Sequence, residues 1–323
     1  MTAVVGVDIA KRTFDLAILQ PNGKHRTKSK LSNDTAGFAV FTDWLQRYAE
    51  PGAWIVMEAT GIYHEALAEH FHGLGYRITV LNPAQIARYA QSQLQRSKTD
   101  KLDAKLIATY GQLHIDHLRA WHPEPVSVRQ LRALTRRLED LQSLRQMELN
   151  RLDVSSTTVQ DSIKAVVQRL DEQITWTLGQ IKRHIDDDPD LRGKRDLLVS
   201  IDGIADKTAA LILAELGDIQ RFTDARAVTA FAGLDPRLQE SGVYRGHTGI
   251  SRTGSARLRT ALYLPAITAL TYNPAIKAQA ERLRAKGKKG KQTVCAAMRK
   301  LLGIAYGVLK SGKPFDPALA IAR

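Results

Sequence analysis

The chain has 323 residues, of which 44% are hydrophobic and 25% are charged. These values predict about two folded domains and exclude a wholly disordered chain. The single cysteine, Cys295, excludes an intrachain disulfide framework and a zinc cluster built on cysteines. The longest apolar stretches, such as residues 301–309, are far shorter than the roughly 20 residues of a membrane span, and the first residues do not resemble a signal peptide. We therefore expect a cytoplasmic location.

The charge is basic and unevenly distributed. Lys and Arg number 47 against 33 Asp and Glu, which gives a net charge of +14. Residues 275–323 hold 12 basic and 2 acidic residues, a net charge of +10. An excess at one end favours a polyanionic partner, with nucleic acid ahead of a membrane surface. The charge alone fits a merely soluble basic protein about equally well.

Residues 1–122 are predicted to form an α/β domain. Residues 3–9 are apolar on both faces, which is typical of a buried strand. Further strands are predicted over residues 14–18, 25–31, 54–57 and 77–81, and helices over residues 63–71 and 99–113. Pro123 and Pro125 mark the end of this domain.

Residues 123–189 are predicted to form a long helical segment. Apolar residues recur there at steps of 3 and 4, and the clearest stripe, of coiled-coil type, runs from Ile163 to Ile185. A break is expected at residues 155–158. Packing within one chain and a seam between subunits both fit this stripe.

Residues 190–323 are predicted to be a mainly α domain. Within it, residues 200–209 resemble a helix-hairpin-helix turn, in which helix N-terminal amides meet a DNA phosphate. Ala205 stands where a second glycine is usual in that turn. Phosphate binding and a purely structural turn therefore both remain open.

Four acids stand at informative positions in the first domain. Asp8 lies inside the first apolar strand, and Glu58 follows a later strand. Asp100 and Asp103 are three residues apart, on one face of a predicted helix. A buried acid is costly unless it is paired or bound to a metal, and converging carboxylates suit two Mg²⁺ ions for phosphoryl transfer.

Each of these acids also has an ordinary interpretation. Asp8 can pair with a neighbouring cation, Glu58 can begin a helix, Asp100 can complete a capping box, and Asp103 can pair with a lysine. A rival hypothesis takes residues 6–10 as the first phosphate loop of a sugar-kinase or actin-like ATPase. No second glycine-rich phosphate loop follows. The joint pattern favours a metal site.

Basic residues and one serine mark a candidate nucleic-acid surface. Residues 237–246 are predicted to be a polar loop in which Ser241 is flanked by glycine and arginines, and by spacing alone this serine is a turn residue. Residues 286–291 are predicted to be a loop that faces phosphates. The candidate nucleic-acid contacts are Lys98, Arg237, Arg245, Arg252, Arg257, Lys286, Lys288, Lys289 and Lys291.

The motifs resemble one family in the right order along nearly the whole chain. Residues 7–11, 57–61 and 98–104 resemble the RuvC-like DEDD domain of one group of bacterial insertion-sequence transposases, also called the bridge-RNA-guided recombinases. The segments that resemble the C-terminal transposase domain of this group are residues 201–204, 230–234, 240–242 and 299–316. Ala205 departs from the family pattern, at a position that is not catalytic.

The resemblance implies a fold and a mechanism. The first domain should be RNase-H-like (RuvC-like), with Asp8, Glu58, Asp100 and Asp103 as the catalytic ligands of Mg²⁺. Ser241 should be the nucleophile that forms a covalent phosphoserine link to DNA. The partners should be target and donor DNA, a structured non-coding guide RNA that pairs with both, and further copies of the chain in a dimer or tetramer. A bacterial, nucleoid-associated location follows.

Three hypotheses compete to explain this sequence. The first is an RNA-guided serine recombinase with a metal-dependent DEDD site. The second is a metal-dependent nuclease or junction resolvase that uses water, with Ser241 structural. The third is a nucleic-acid-binding protein in which the acids are only structural. A trapped covalent adduct separates the first from the second, and loss of Mg²⁺ dependence favours the third.

Overall fold

The computed structural model of the chain describes residues 2–59, 61–93, 100–237, 240–241, 244–245 and 249–321, and for residues 100–102, 240–241, 244–245 and 320–321 it describes the backbone alone. By its internal contacts the chain divides into two compact units, residues 1–123 and 124–323. The first is mixed α/β and the second is mostly helical, which confirms the predicted fold class at that level. The predicted division into residues 1–122, 123–189 and 190–323 stays a prediction.

The first unit is built on a five-stranded mixed sheet. Its strands are β1 (Val4–Ile9), β2 (Thr13–Leu19), β3 (His25–Ser32), β4 (Trp54–Glu58) and β5 (Arg77–Leu81). Their spatial order is β3-β2-β1-β4-β5. The first three strands form an antiparallel meander, whereas β4 and β5 run parallel to β1. The carboxyl ends of β1, β4 and β5 therefore share one edge of the sheet.

Helices cover both faces of this sheet. They are α1 (Thr35–Tyr48), α2 (Glu65–Gly73), α3 (Pro83–Ser92) and α4 (Asp100–Leu113). Phe38 and Phe41 of α1 and Phe71 of α2 pack in the core on one face. On the other face, Ile86 of α3 and Ile107 of α4 pack against side chains of β1 and β4.

The predicted strands and the helices α2 and α4 are confirmed within a few residues, but α1 and α3 were not predicted. Both helices begin with a capped first turn. The Asp34 carboxylate accepts a hydrogen bond from the Gly37 amide, and the Asn82 side chain accepts one from the Ala84 amide. The turn residues Asn82 and Pro83, which end β5, are thus also the start of a helix.

The second unit begins with a long helical hairpin. Helix α5 (Val126–Val154) and helix α6 (Thr157–Asp187) pack against each other, and the break between them lies at Ser155, as predicted. Ile181 and Ile185 of the predicted stripe are buried in the core of this unit, and Ile174 packs against that core. This end of the stripe packs within one chain. Leu178 and Trp176 of the same helix are exposed.

The remaining elements of the second unit are mostly helices. They are α7 (Pro189–Val199), α8 (Asp206–Leu216), α9 (Ala225–Phe231), α10 (Ala256–Tyr272), α11 (Pro274–Ala285), α12 (Gly290–Ser311) and α13 (Pro317–Ile321). Between α9 and α10 lie the short strands β6 (Pro236–Arg237), β7 (Glu240–Ser241), β8 (Tyr244–Arg245) and β9 (Gly249–Ile250). Within the described residues no helix is both long enough and apolar enough to cross a bilayer.

The turn between α7 and α8 packs against the protein's own core. Gly203 has φ +102°, and a Cβ at this position would lie 2.8 Å from the Cβ of Ala269 and 2.9 Å from the carbonyl oxygen of Pro265. The Asn273 side chain also donates a hydrogen bond of 3.3 Å to the Asp202 carbonyl. These contacts with α10 and its C-terminus account for the glycine, so they favour the structural interpretation of the helix-hairpin-helix-like turn.

Candidate active site and nucleic-acid surface

Asp8 and Glu58 occupy neighbouring positions on parallel strands. Val7 of β1 is the register partner of Met57 of β4, so the residues that follow them, Asp8 and Glu58, lie side by side. Side chains alternate between the faces of a strand. Val5 and Val7 pack in the core with α1 and α2, which puts Gly6 and Asp8 on the opposite face, together with Glu58. Both acids are half-buried.

Helix α4 covers the face that carries these two acids. A Cβ at Gly6 would overlap the carbonyl oxygen of Ala104 and the amide of Ala108, and one at Gly111 would lie 2.7 Å from a methyl group of Val4. Because β1 passes from Val4 to Asp8 while the contacts on α4 pass from Gly111 back to Ala104, the helix runs antiparallel to the strand. Its N-terminal end therefore lies toward Asp8.

The two helical acids of the predicted site stand at that end of α4. Asp103, which is half-buried, directly precedes Ala104, the residue in contact with Gly6. Asp100 is the first residue of the helix, and its side chain lies outside the described part of the chain. The structure therefore brings the backbone positions of all four acids to the carboxyl edge of β1 and β4.

A fifth carboxylate, which was not predicted, shares this face. Asp15 of β2 is the register partner of Asp8 and is only 8% exposed. Its Oδ1 accepts a 2.6 Å hydrogen bond from the Lys30 amide, where the register between β2 and β3 shifts and Lys30 has φ +59°. The sequence held a signal, because an acid alternates here with the apolar residues Phe14 and Leu16.

Asn33 joins the two turns that follow the acid-bearing strands. Its side-chain amide donates hydrogen bonds to the carbonyl oxygens of Ala10, 3.3 Å away, and Tyr63, 3.0 Å away. Ala10 lies two residues after Asp8, and Tyr63 lies in the turn after β4. Burial lowers the pKa of the neighbouring His64 imidazole. Asn33 is thus a positioning residue that the sequence did not indicate.

The acids present only oxygen donors, the ligand type that suits Mg²⁺. Among the side chains that the structure describes, no three His, Cys, Asp or Glu residues are close enough together to hold a metal ion. That set does not include Asp100. The donor chemistry fits Mg²⁺, and the geometry of the complete cluster lies outside the described residues.

Ser241 is the second residue of β7, so the predicted polar loop of residues 237–246 contains short paired strands; we call the strands β6 to β9 the serine ribbon. Residues 236–237 pair with 249–250, and in a second pair of strands Glu240 pairs with Arg245 and Ser241 with Tyr244. The register leaves only two residues between Ser241 and its partner along the chain. The side chains of Ser241 and Arg245 lie outside the described residues.

The predicted nucleic-acid contacts fall into three groups. Lys98 lies outside the described residues. Arg257 pairs with Glu139 at 2.9 Å, so part of its charge is neutralised within the chain. The side chain of Arg245 also lies outside the described residues. The other six cations are exposed: Arg237 of β6, Arg252 after β9, and Lys286, Lys288, Lys289 and Lys291 at the turn from α11 into α12.

Comparison with known families gives matches to both units. Residues 5–155 match a family model for the DEDD domain of IS110 elements, described as "Transposase". Residues 195–281 match the model described as "Transposase IS116/IS110/IS902 family". The two matches fall in the same order as the acid cluster and the serine ribbon.

Individual relatives match over most of their length. The chain is 34% identical to the pilin gene-inverting protein of Moraxella bovis, over 97% of both chains. It is 24% identical to the transposase for insertion sequence element IS1328 of Yersinia enterocolitica, over 97% of this chain and 98% of the relative. It is 26% identical to the transposase for insertion sequence element IS1111A of Coxiella burnetii, over 80% and 75%.

Proposed function

The chain belongs to the IS116/IS110/IS902 family of transposases, and on that premise we propose that it cuts and rejoins DNA through a covalent phosphoserine intermediate, guided by a structured RNA. It is an enzyme of DNA recombination in a mobile element. The serine, the metal and the RNA are the proposed part. The observation that carries the proposal is the pairing of Asp8 with Glu58 on the sheet face covered by α4.

The sheet supports an RNase-H-like interpretation of the first unit. An antiparallel meander followed by two parallel strands gives the order β3-β2-β1-β4-β5, with an acid on the central strand β1 and another at the end of β4. This arrangement collects acids from separate segments at one edge of the sheet. Phosphoryl-transfer sites need that convergence, because a metal ion there must bind several carboxylates.

Mg²⁺ is the proposed cofactor, with two ions per site, held by Asp8, Glu58, Asp100 and Asp103. When bound, it would polarise the attacked phosphoryl group and neutralise the charge that develops on the oxygens. The chain's own contribution is to hold the carboxylates in place. Glycine-mediated contact between β1 and α4 fixes the distance between sheet and helix, and Asn33 ties the turns beyond both strands.

Ser241 is the proposed nucleophile. Its Oγ attacks a DNA phosphorus, an O–P bond to serine forms, a P–O bond of the DNA backbone breaks, and the serine proton ends on the leaving oxygen. Attack by a hydroxyl of a second strand then reverses the exchange and frees the serine. Because a phosphodiester replaces a phosphodiester, joining needs no ATP. Arg237 and Arg252 are exposed near the ribbon and supply forked donors for the flanking phosphates.

The partners are proposed from family membership and charge. The net charge of +10 over residues 275–323 suits RNA and DNA backbones. We propose that a non-coding RNA selects target and donor DNA, and that two or four copies of the chain act together, with one copy's carboxylates serving another's serine. The long helices α5 and α6, proposed as a coiled coil, extend beyond the core and expose apolar side chains such as Val166 and Trp176.

The deciding experiment replaces the serine. Ser241→Ala should abolish cleavage and the covalent protein–DNA adduct, while RNA binding and oligomer mass stay unchanged; Ser241→Cys should retain a trace of activity. The matched control is Ser251→Ala, in the segment directly after β9. Labelled DNA is incubated with protein, guide RNA and MgCl₂ and resolved on a denaturing gel. Cleavage by Ser241→Ala at the parental rate would establish the water-driven nuclease instead.

A second experiment tests the carboxylates. Asp8→Ala, Glu58→Ala and Asp103→Ala should each abolish strand cleavage and leave nucleic-acid binding intact. Asp43→Ala, at an exposed acid of α1, is the control and should cleave normally. If a variant keeps Mg²⁺-dependent cleavage, the residue that it replaces is not part of the site.

A further inference from the structure

We propose that a groove between the serine ribbon and helix α12 binds an unpaired nucleotide of the DNA substrate. The groove has a volume of about 810 Å³. One wall is formed by β6 and β9 of the ribbon, with Pro236 and Ile250, and the other is the end of α11 and the first turns of α12. The volume lies in the range of pockets that take small organic ligands.

The floor of the groove is apolar. Leu234, Ile250 and Leu283 line it together with Cys295 and Ala296 of α12. Ile250, Leu283 and Cys295 are half-buried, so they leave apolar surface open to a ligand. Such an apolar floor does not favour contact with a phosphate. It suits contact with the flat face of a nucleobase.

The rim of the groove is cationic. Lys288, Lys289 and Lys291 stand at the start of α12, and Arg252 stands on the side of the ribbon; all four are exposed. The positive end of a 22-residue helix adds to their charge. Arg299, also in the lining, is partly neutralised by Asp235 at 3.4 Å. Among the described lining residues none is acidic. The rim therefore complements the phosphates on either side of a base.

Arg252 is held in place by an unusual backbone. Its φ of +56° is rare for a residue with a side chain, and its amide donates a 3.1 Å hydrogen bond to the Gly233 carbonyl. The Arg252 guanidinium is planar, and it can stack on a base while it meets a phosphate. In this proposal the strained backbone of Arg252 serves to hold its guanidinium at the rim, where it contacts both a base and a phosphate.

Single-stranded rather than double-stranded DNA fits the combination of floor and rim. A duplex hides the faces of its bases and presents phosphates outward, so it would meet the lysines and leave the apolar floor empty. An unpaired nucleotide can fill both parts at once. The groove is lined by β6 and β9, the strands that flank β7 and β8 along the chain, and β7 carries Ser241. The proposed occupant therefore belongs to the DNA strand on which the proposed chemistry acts.

This inference rests on the proposed function for the identity of the strand, but its test needs neither Mg²⁺ nor Ser241. Cys295 is the only cysteine of the chain and lines the groove, so its alkylation by iodoacetamide reports occupancy. With nine-tenths of the sites filled by a single-stranded DNA oligonucleotide, the alkylation rate should fall about tenfold. The same result is expected for Ser241→Ala.

The control ligands distinguish the sources of protection. A DNA duplex and inorganic polyphosphate, at matched phosphate concentration, should protect Cys295 weakly. Equal protection by either would overturn the proposal, because charge alone would then explain binding. Stronger protection by single-stranded RNA of the same sequence would overturn the assignment to DNA.

A variant pair tests the apolar floor without changing charge. Ile250→Asn with Leu283→Asn should weaken binding of single-stranded DNA about tenfold, measured by fluorescence anisotropy, and leave duplex binding unchanged. The control makes the same chemical change at the exposed Leu264 and Ile267 of α10, outside the groove. Unaltered affinity in the groove variant, with a parental circular dichroism spectrum, would overturn the proposal. If the variant does not fold, the alkylation result decides.

The two proposals fail separately. Protection of Cys295 without any covalent DNA adduct would support the groove proposal and refute the phosphoserine mechanism. An adduct at Ser241 without protection of Cys295 would keep the mechanism and refute the groove.

Discussion

Asp8 of β1 and Asp15 of β2 face each other directly across an antiparallel ladder. Directly opposite like charges destabilise a sheet. Asp15 is buried and is held by the Lys30 amide, so it cannot swing into solvent without losing that hydrogen bond. The face that receives the proposed metal thus carries an acid in addition to the four that were predicted.

Replacing Asp8 should weaken the response of the fold to Mg²⁺. With Mg²⁺ about 100-fold above its Kd, binding should raise the parental Tm by roughly 5 °C, and Asp8→Asn should lose most of that rise because it removes a ligand and a charge. Differential scanning fluorimetry in EDTA and in MgCl₂ measures both values. The control is Asp43→Asn on the surface of α1. The same rise in Asp8→Asn and in the parent would contradict a metal at this acid.

Replacing Asp15 should cost stability through its hydrogen bond. Asp15→Ala leaves the Lys30 amide without its acceptor at 2.6 Å, and the expected loss in the free energy of unfolding is about 1–3 kcal/mol. Asp15→Asn keeps an acceptor oxygen and should lose less. Urea unfolding followed by circular dichroism compares the two variants. Equal losses would show that the carboxylate charge, and not the hydrogen bond, stabilises the shifted register between β2 and β3.

Gly6→Ala should destabilise the first unit. The added methyl group would overlap backbone atoms of Ala104 and Ala108, which cannot move without shifting α4, so a loss of about 1–3 kcal/mol is expected. Gly73→Ala, at a helical position with open space around it, is the matched control and should be neutral or slightly stabilising. Chemical unfolding measures both. A neutral Gly6→Ala would mean that backbone contact between α4 and β1 does not limit the space at this glycine.

The lysines at the start of α12 should set the salt dependence of binding. Changing Lys286, Lys288, Lys289 and Lys291 to Gln should lower the log–log slope of affinity against salt by roughly 0.7–0.9 for each phosphate that a lysine no longer neutralises. Lys164→Gln with Lys182→Gln on α6 provides the comparison. Anisotropy titrations over a range of NaCl concentrations give the slopes. An unchanged slope would place this turn in solvent in the complex.

Helix α6 should respond differently to changes at its packed and at its exposed apolar residues. Leu170→Asp with Ile174→Asp adds charge to the stripe of which Ile174 packs on the core, so it should lower Tm. Trp176→Gln with Val166→Gln changes exposed residues and should reduce oligomer mass with little change in Tm. Light scattering and thermal melts separate the two effects. If the oligomer mass of the second variant is unchanged, Val166 and Trp176 do not lie in a subunit interface.

The predicted strands were confirmed because their residues obey simple patterns. Apolar runs marked β1, in which Asp8 is the one acid, and β4, and alternation marked β2. Helix α1 has its own sequence signal, a cap at Asp34 followed by buried Phe38, Phe41 and Leu45. These three apolar residues follow one another at steps of three and four, which is the spacing of one face of a helix.

The four acids could be singled out from the sequence, but the residues that surround them could not. Asp8 stands out in the sequence because it is an acid inside an apolar strand. Its position beside Glu58 depends on the register between β1 and β4, and the position of Asp103 depends on how α4 packs on the sheet. Asp15 and Asn33 act through strand pairing and through hydrogen bonds to distant carbonyls. Single-chain spacing does not reveal such contacts, because they depend on which strands become neighbours.

The glycine contact between β1 and α4 also bears on how this scaffold could be re-engineered. Where side chains separate a helix from a sheet, exchanging large for small residues tunes the gap in small steps. At Gly6 the backbone of β1 lies directly against the backbone of α4. The distance between the acids of the sheet and the acids of the helix therefore cannot be tuned by exchanging side chains at this contact. A wider site for a larger cation would need a larger residue at Gly6 together with a repositioned α4, because a side chain at Gly6 alone would overlap the backbone of that helix.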